Sequence, residues 1–108
     1  MFLPSAPRRI MAYSEPVDMR KQFNGLVALV QSALQEDPLS GDLFVFFNRR
    51  NNYMKLVTWD RTGYCLFAKK LEQGKFRLPS GETKQEISER AFRLILDGII
   101  LGSRRRIC

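Results

Sequence analysis

Between residues 43 and 71, three apolar runs are separated by two short polar breaks, and this pattern restricts the fold more than any other feature of the chain. Leu43-Phe44-Val45-Phe46-Phe47, Tyr53-Met54-Lys55-Leu56-Val57-Thr58-Trp59 and residues 64–71 are rich in the β-branched and aromatic residues that suit a pleated surface. Asn48-Arg49-Arg50-Asn51-Asn52 and Asp60-Arg61-Thr62-Gly63 are too short for anything but tight turns. Strands joined so closely must run antiparallel, which gives a meander. A third turn, Glu72-Gln73-Gly74, leads into Lys75-Phe76-Arg77-Leu78, expected as a fourth strand ended by Pro79.

The flanks read differently. Ile10-Met11-Ala12-Tyr13 is expected as a short strand, broken by Ser14-Glu15-Pro16. Met19, Phe23, Leu26, Val27, Val30 and Leu34 then recur three and four apart, the spacing of an amphipathic helix. Asp18 stands before the first of them, where its carboxylate would accept from the orphan amides of the first turn. Gly25 inside that helix suggests close approach of another backbone. Residues 36–42, with Pro38 and Gly41, form a loop. Downstream, Thr83-Lys84-Gln85-Glu86 fits a capping box, so a second helix is predicted to carry Ile87, Ala91, Leu94 and Ile95 on one stripe and to end at Gly98. Residues 102–108 read as a basic tail.

The expectation is one α+β domain over residues 1–108, with a meander of about four strands, a short N-terminal strand and two flanking helices. Met54 and Leu56 point one way from the sheet, and Val57 and Trp59 the other, so both faces need cover. The helices and termini would supply it, or else a partner or a second copy; Trp59 is expected in the core. No apolar run nears the roughly 20 residues of a membrane span. The N-terminal residues lack the pattern of a secretion signal, and the expected location is the cytoplasm.

Histidine is absent, which removes the commonest general base and the commonest metal ligand. The two cysteines, Cys65 and Cys108, make no metal-binding or disulfide pattern; Cys65 is expected buried and Cys108 free. Asp18, Asp42, Asp60 and Glu72 are the candidates for a magnesium-dependent nuclease, but turn positions account for most of them. Neither catalysis nor a metal or other cofactor is expected.

The formal net charge is +7, and it is concentrated: residues 43–79 hold eight basic side chains against two acidic ones. Such a field attracts polyanions. The candidate phosphate contacts are Arg49, Arg50 and Lys55 on the first hairpin, and Lys69, Lys70 and Lys75 around the third turn. Arg20 and Lys21, at the expected first helical turn, join them. Each has a plainer alternative: an Asp18 cap with an adjacent ion pair, or a solvated hairpin tip and edge strand.

At this level the chain resembles a known family. The matching blocks are residues 16–26 (Pro16-Val17-Asp18-Met19-Arg20-Lys21-Gln22-Phe23-Asn24-Gly25-Leu26), residues 37–46 (Asp37-Pro38-Leu39-Ser40-Gly41-Asp42-Leu43-Phe44-Val45-Phe46) and Asn48-Arg49-Arg50. They continue through Lys55-Leu56, Trp59-Asp60, Gly63-Tyr64-Cys65-Leu66, Lys69-Lys70-Leu71-Glu72 and Gly74-Lys75-Phe76. In these the chain is similar to the TnpB accessory proteins of the sixty-six class of bacterial insertion sequences, which are unrelated to the RNA-guided nucleases of the same label. The family usually has Lys-Arg at Lys69-Lys70 and often aspartate at Asn24. The resemblance implies a non-catalytic role in transposition beside a larger transposase. DNA, the transposase and other proteins of the element are then the expected partners, and homo-oligomers are a further option. The alternative is an adaptor that docks on the transposase without touching DNA.

Overall fold

The computed structural model describes residues 8–98. Five strands, β1 (Ile10–Tyr13), β2 (Leu43–Phe47), β3 (Tyr53–Trp59), β4 (Tyr64–Lys70) and β5 (Lys84–Ile87), form one sheet in the order β4-β3-β2-β1-β5. Two helices, α1 (Phe23–Ser32) and α2 (Glu89–Leu96), complete an α+β fold. The meander is β2-β3-β4, antiparallel throughout. β1 lies beside β2 and parallel to it, with α1 between them in the chain.

The strand pattern alternates as the pleat requires. Leu43, Val45 and Phe47 of β2, with Met54 and Leu56 of β3, point to one face, where Phe92 and Ile95 of α2 pack on them. Phe44, Phe46 and Val57 point to the other face, against Leu26, Val30 and Leu34. The helices therefore cover opposite faces of the sheet, and each buries its own cluster. Trp59 is half-buried rather than in the core: it closes the β3–β4 turn with its ring edge against Tyr64, centroids 5.0 Å apart. Cys65, expected buried, is exposed on the edge strand β4.

Several local expectations are corrected. Residues 75–78, expected as the fourth strand of the meander, form no strand; β5 (Lys84–Ile87) extends the sheet instead, on the side away from the meander. β1 is buried on both faces, so its second backbone edge needs a partner, and residues 84–87 supply one, with Ile10 opposite Ile87 and Tyr13 opposite Lys84. That ladder overrides the capping-box signal. Ser88 caps α2 instead, its Oγ accepting from the Ala91 amide at 3.1 Å.

Helix α1 begins at Phe23, four residues after the first apolar position, Met19. Asp18 is not its cap. Asp18 shapes a turn of its own, accepting from the Arg20 amide at 2.9 Å and from the Arg20 guanidinium. Gly25 faces the side chain of Lys21, not another backbone: an added Cβ would stand 3.2 Å from the lysine stem. The basic tail expected at 102–108, Cys108 included, lies outside the described residues.

Candidate nucleic-acid interface

Strands β2, β3, β4, β1 and β5 bring the Phe47, Tyr53, Lys70, Tyr13 and Lys84 termini to one end of the sheet. To reach β5 from β4, the chain must cross this end from one edge to the other, and residues 71–83 do so. This crossing segment is tied down along its route. The Leu71 amide donates to Asn52 O at 2.8 Å, the Phe76 amide to Asn51 O at 2.6 Å, and the Ser14 amide to Thr83 O at 2.8 Å. Phe76 is its apolar anchor. It is 2% exposed and sits against Phe47, with ring centroids 5.8 Å apart. Its neighbours Lys75 and Arg77 are exposed.

The β2–β3 turn is held by its own asparagines. Asn48 Oδ1 accepts from the amides of Asn52 (3.0 Å) and Tyr53 (3.1 Å), and Asn48 Nδ2 donates to Asn52 Oδ1 at 2.7 Å. Asn51 takes the left-handed conformation with φ 56°, which asparagine tolerates better than most residues. Arg49 and Arg50 are left exposed at the tip. Asn48 and Asn52 are bonded to each other within the turn, while the side chain of Asn51 forms no hydrogen bond among the described residues.

The eight candidate cations divide by what they touch. Arg49, Arg50, Lys70 and Lys75 are exposed at this end and form no ion pair among the described residues. Lys70 lies 6.0 Å from the centroid of the Tyr53 ring. Arg77 belongs with these four but is not among the sequence candidates. The alternation Lys75-Phe76-Arg77, two cations about an apolar anchor, is the signal that would have found it.

Lys55 is not available to a ligand. It lies mid-sheet between Phe46 and Ala68, 4% exposed, and its ammonium donates to Lys21 O at 2.8 Å. Lys69 is half-buried on the α2 face and donates to Leu96 O at 2.7 Å, at the C-terminal end of α2 where a cation is favourable. Arg20 is exposed but paired with Asp18 at 2.7 Å, and this pairing lowers the Asp18 carboxyl to about 2. Lys21 is exposed, with its stem over Gly25 and its carbonyl engaged by Lys55.

A separate ion-pair hub fixes the frame. Glu36 accepts from Lys84 Nζ at 2.5 Å and from Arg9 Nη2 at 2.6 Å, and Arg9 also holds Asp42 at 2.7 Å. The two cations, Lys84 first, keep the Glu36 carboxyl below the ordinary glutamate range. No cluster of three or more candidate metal ligands occurs among the described residues. Of the four carboxylates considered for magnesium, Asp18 and Asp42 are engaged by Arg20 and Arg9.

A family model described as IS66 Orf2 like protein matches residues 8–106. The chain is 43% identical over 100 residues to the uncharacterized protein y4jC of Sinorhizobium fredii, covering 92% of this chain and 86% of that one. It is 41% identical over 81 residues to the uncharacterized protein y4hO of the same organism, covering 74% and 70% of the two chains. No solved structure matches.

Proposed function

The chain belongs to the IS66 Orf2-like family, whose members are insertion-sequence accessory proteins, and from that premise we propose that it binds DNA without cutting it, beside a separate transposase. One observation carries this reading. The Phe76 amide bonded to Asn51 O sets the hairpin tip and the crossing segment side by side, so that exposed cations from segments more than twenty residues apart share one end of the sheet. Phosphates are the natural ligand of such a set, and arginine forks suit them especially. An adaptor docking through a bare sheet face has less support, because α1 and α2 cover opposite faces.

Fluorescence anisotropy of a labelled DNA tests the reading. Five phosphate contacts, from Arg49, Arg50, Lys70, Lys75 and Arg77, imply a salt exponent of about −4.5, hence an affinity about 500-fold lower at 200 mM than at 50 mM salt. Joint replacement Arg49→Ala and Arg50→Ala should reduce that exponent to about −2.7. Absence of binding at 50 mM salt would refute the proposal.

A further inference from the structure

An open groove of about 440 Å³ runs beside the crossing segment, between the hairpin tip and the starts of the loops at Ser14 and Ser80. Among the described residues, Lys75 and Arg77 are its cations, Asn51, Ser14, Ser80 and Gln85 add amide and hydroxyl groups, and no carboxylate lines it. Gln85 is braced for this position, since its amide nitrogen donates to Pro79 O at 3.1 Å. Resting on the DNA-binding reading above, we infer that this groove grips the sugar–phosphate backbone of double-stranded DNA, with Lys75 and Arg77 on phosphates.

Three features select that ligand. The lining is cationic and polar without an acid, so it attracts anions and offers donors to sugar and phosphate oxygens. Among the described residues the groove offers no ring for base stacking: the aromatic in its lining, Phe76, is 2% exposed and turned into the core against Phe47. Sites for single strands depend on such rings. The other accessible rings stand outside the groove: Tyr13 and Tyr53 are half-buried at this end of the sheet but do not line it, Phe23 belongs to α1, and Trp59 with Tyr64 closes the opposite end of β3 and β4. Finally, the groove is open and largely polar, whereas small-ligand sites enclose most of the ligand within apolar walls. Backbone contacts carry no sequence information directly, so binding at this groove is independent of base sequence.

The test uses the full chain, a 20-base-pair duplex, and each of its strands alone, across a salt series. The wild type should bind the duplex more tightly than either strand, and equally for unrelated sequences. The double replacement K75A/R77A should weaken duplex binding at least about tenfold at 50 mM salt and reduce the salt exponent by about 1.8, two phosphates at about 0.9 each. The conservative pair K75R/R77K should retain most of the affinity. Arg61→Ala, in the turn at the far end of the sheet, should leave it unchanged. Both replaced residues are exposed, and circular dichroism verifies that the variants fold. Duplex binding that survives K75A/R77A at wild-type strength overturns the groove while leaving DNA binding intact. Tighter binding of a single strand overturns the assignment to duplex. A wild type that binds no DNA overturns this inference and the proposed function together.

Discussion

Lys55 separates the two things a cation in this chain can do, and its replacement makes the distinction measurable. By charge and position it reads as a phosphate contact; in the structure its stem is buried between β2 and β4 and its ammonium holds the Lys21 carbonyl. Lys55→Ala removes three buried methylenes, about 0.8 kcal/mol each, and a hydrogen bond from a charged donor worth about 1.5 kcal/mol at the low end. Relief of the buried charge offsets part of that sum, leaving a loss of about 2–4 kcal/mol. Lys55→Met keeps most of the stem and removes the hydrogen bond together with the buried charge, so it should cost only about 1 kcal/mol. In a domain of this size each kcal/mol lowers Tm by roughly 4–8 °C, so thermal melts followed by circular dichroism resolve the two variants. DNA affinity, measured well below both transitions, should stay near wild type for each. If Lys55→Met melts like the wild type but loses affinity as far as the Arg49→Ala, Arg50→Ala pair, the structural role assigned to Lys55 is wrong.

Two further outcomes follow from the same geometry. Phe76→Ala should destabilise the domain by about 3–5 kcal/mol, the usual cost of truncating a buried phenylalanine. Because Phe76 anchors Lys75 and Arg77, the folded fraction should also bind duplex DNA less tightly, as a titration at low temperature would record. The Glu36 carboxyl, held low by Lys84 and Arg9, adds stability that is complete above the unfolded glutamate value of about 4.3 and is lost as pH falls through the lower folded value. Glu36→Gln should therefore lower stability at pH 7 and flatten its fall between about pH 4.3 and more acidic values, as urea melts across that range would register.

The meander was legible because its signals are local. Turn residues at 48–52 and 60–63 fix strands β2, β3 and β4 whatever the rest of the chain does. The errors fall where a distant partner decides. Residues 84–87 have a helix-start pattern, yet they pair with β1 because that strand would otherwise leave a buried edge unsatisfied. Nothing within ten residues of Lys84 records that need. Residues 75–78 alternate like a strand, but the chain has to cross the end of the sheet there, and the alternation serves to bury Phe76 while exposing Lys75 and Arg77. Met19 carries helical spacing without being helical, because apolar periodicity reports which side of a segment meets the core, and Met19 does pack on the α1-side cluster.

The candidate interface was half legible for a related reason. A sequence shows where cations are concentrated but not what occupies each of them. Lys69 and Lys70 are neighbours on an edge strand, yet the pleat sends one to the Leu96 carbonyl and the other to solvent beside Tyr53. Lys55 fails as a contact because its face of the sheet is covered and its ammonium is taken by the carbonyl of Lys21, thirty-four residues away in the chain. Arg77 gains its place because β5 lies on the far edge, which draws residues 71–83 across the end of the sheet and past the hairpin tip. The position of β5 beside β1 thus links fold and site. It satisfies the N-terminal strand, and by setting the path of the chain it delivers Lys75 and Arg77 to the end where Arg49 and Arg50 already stand.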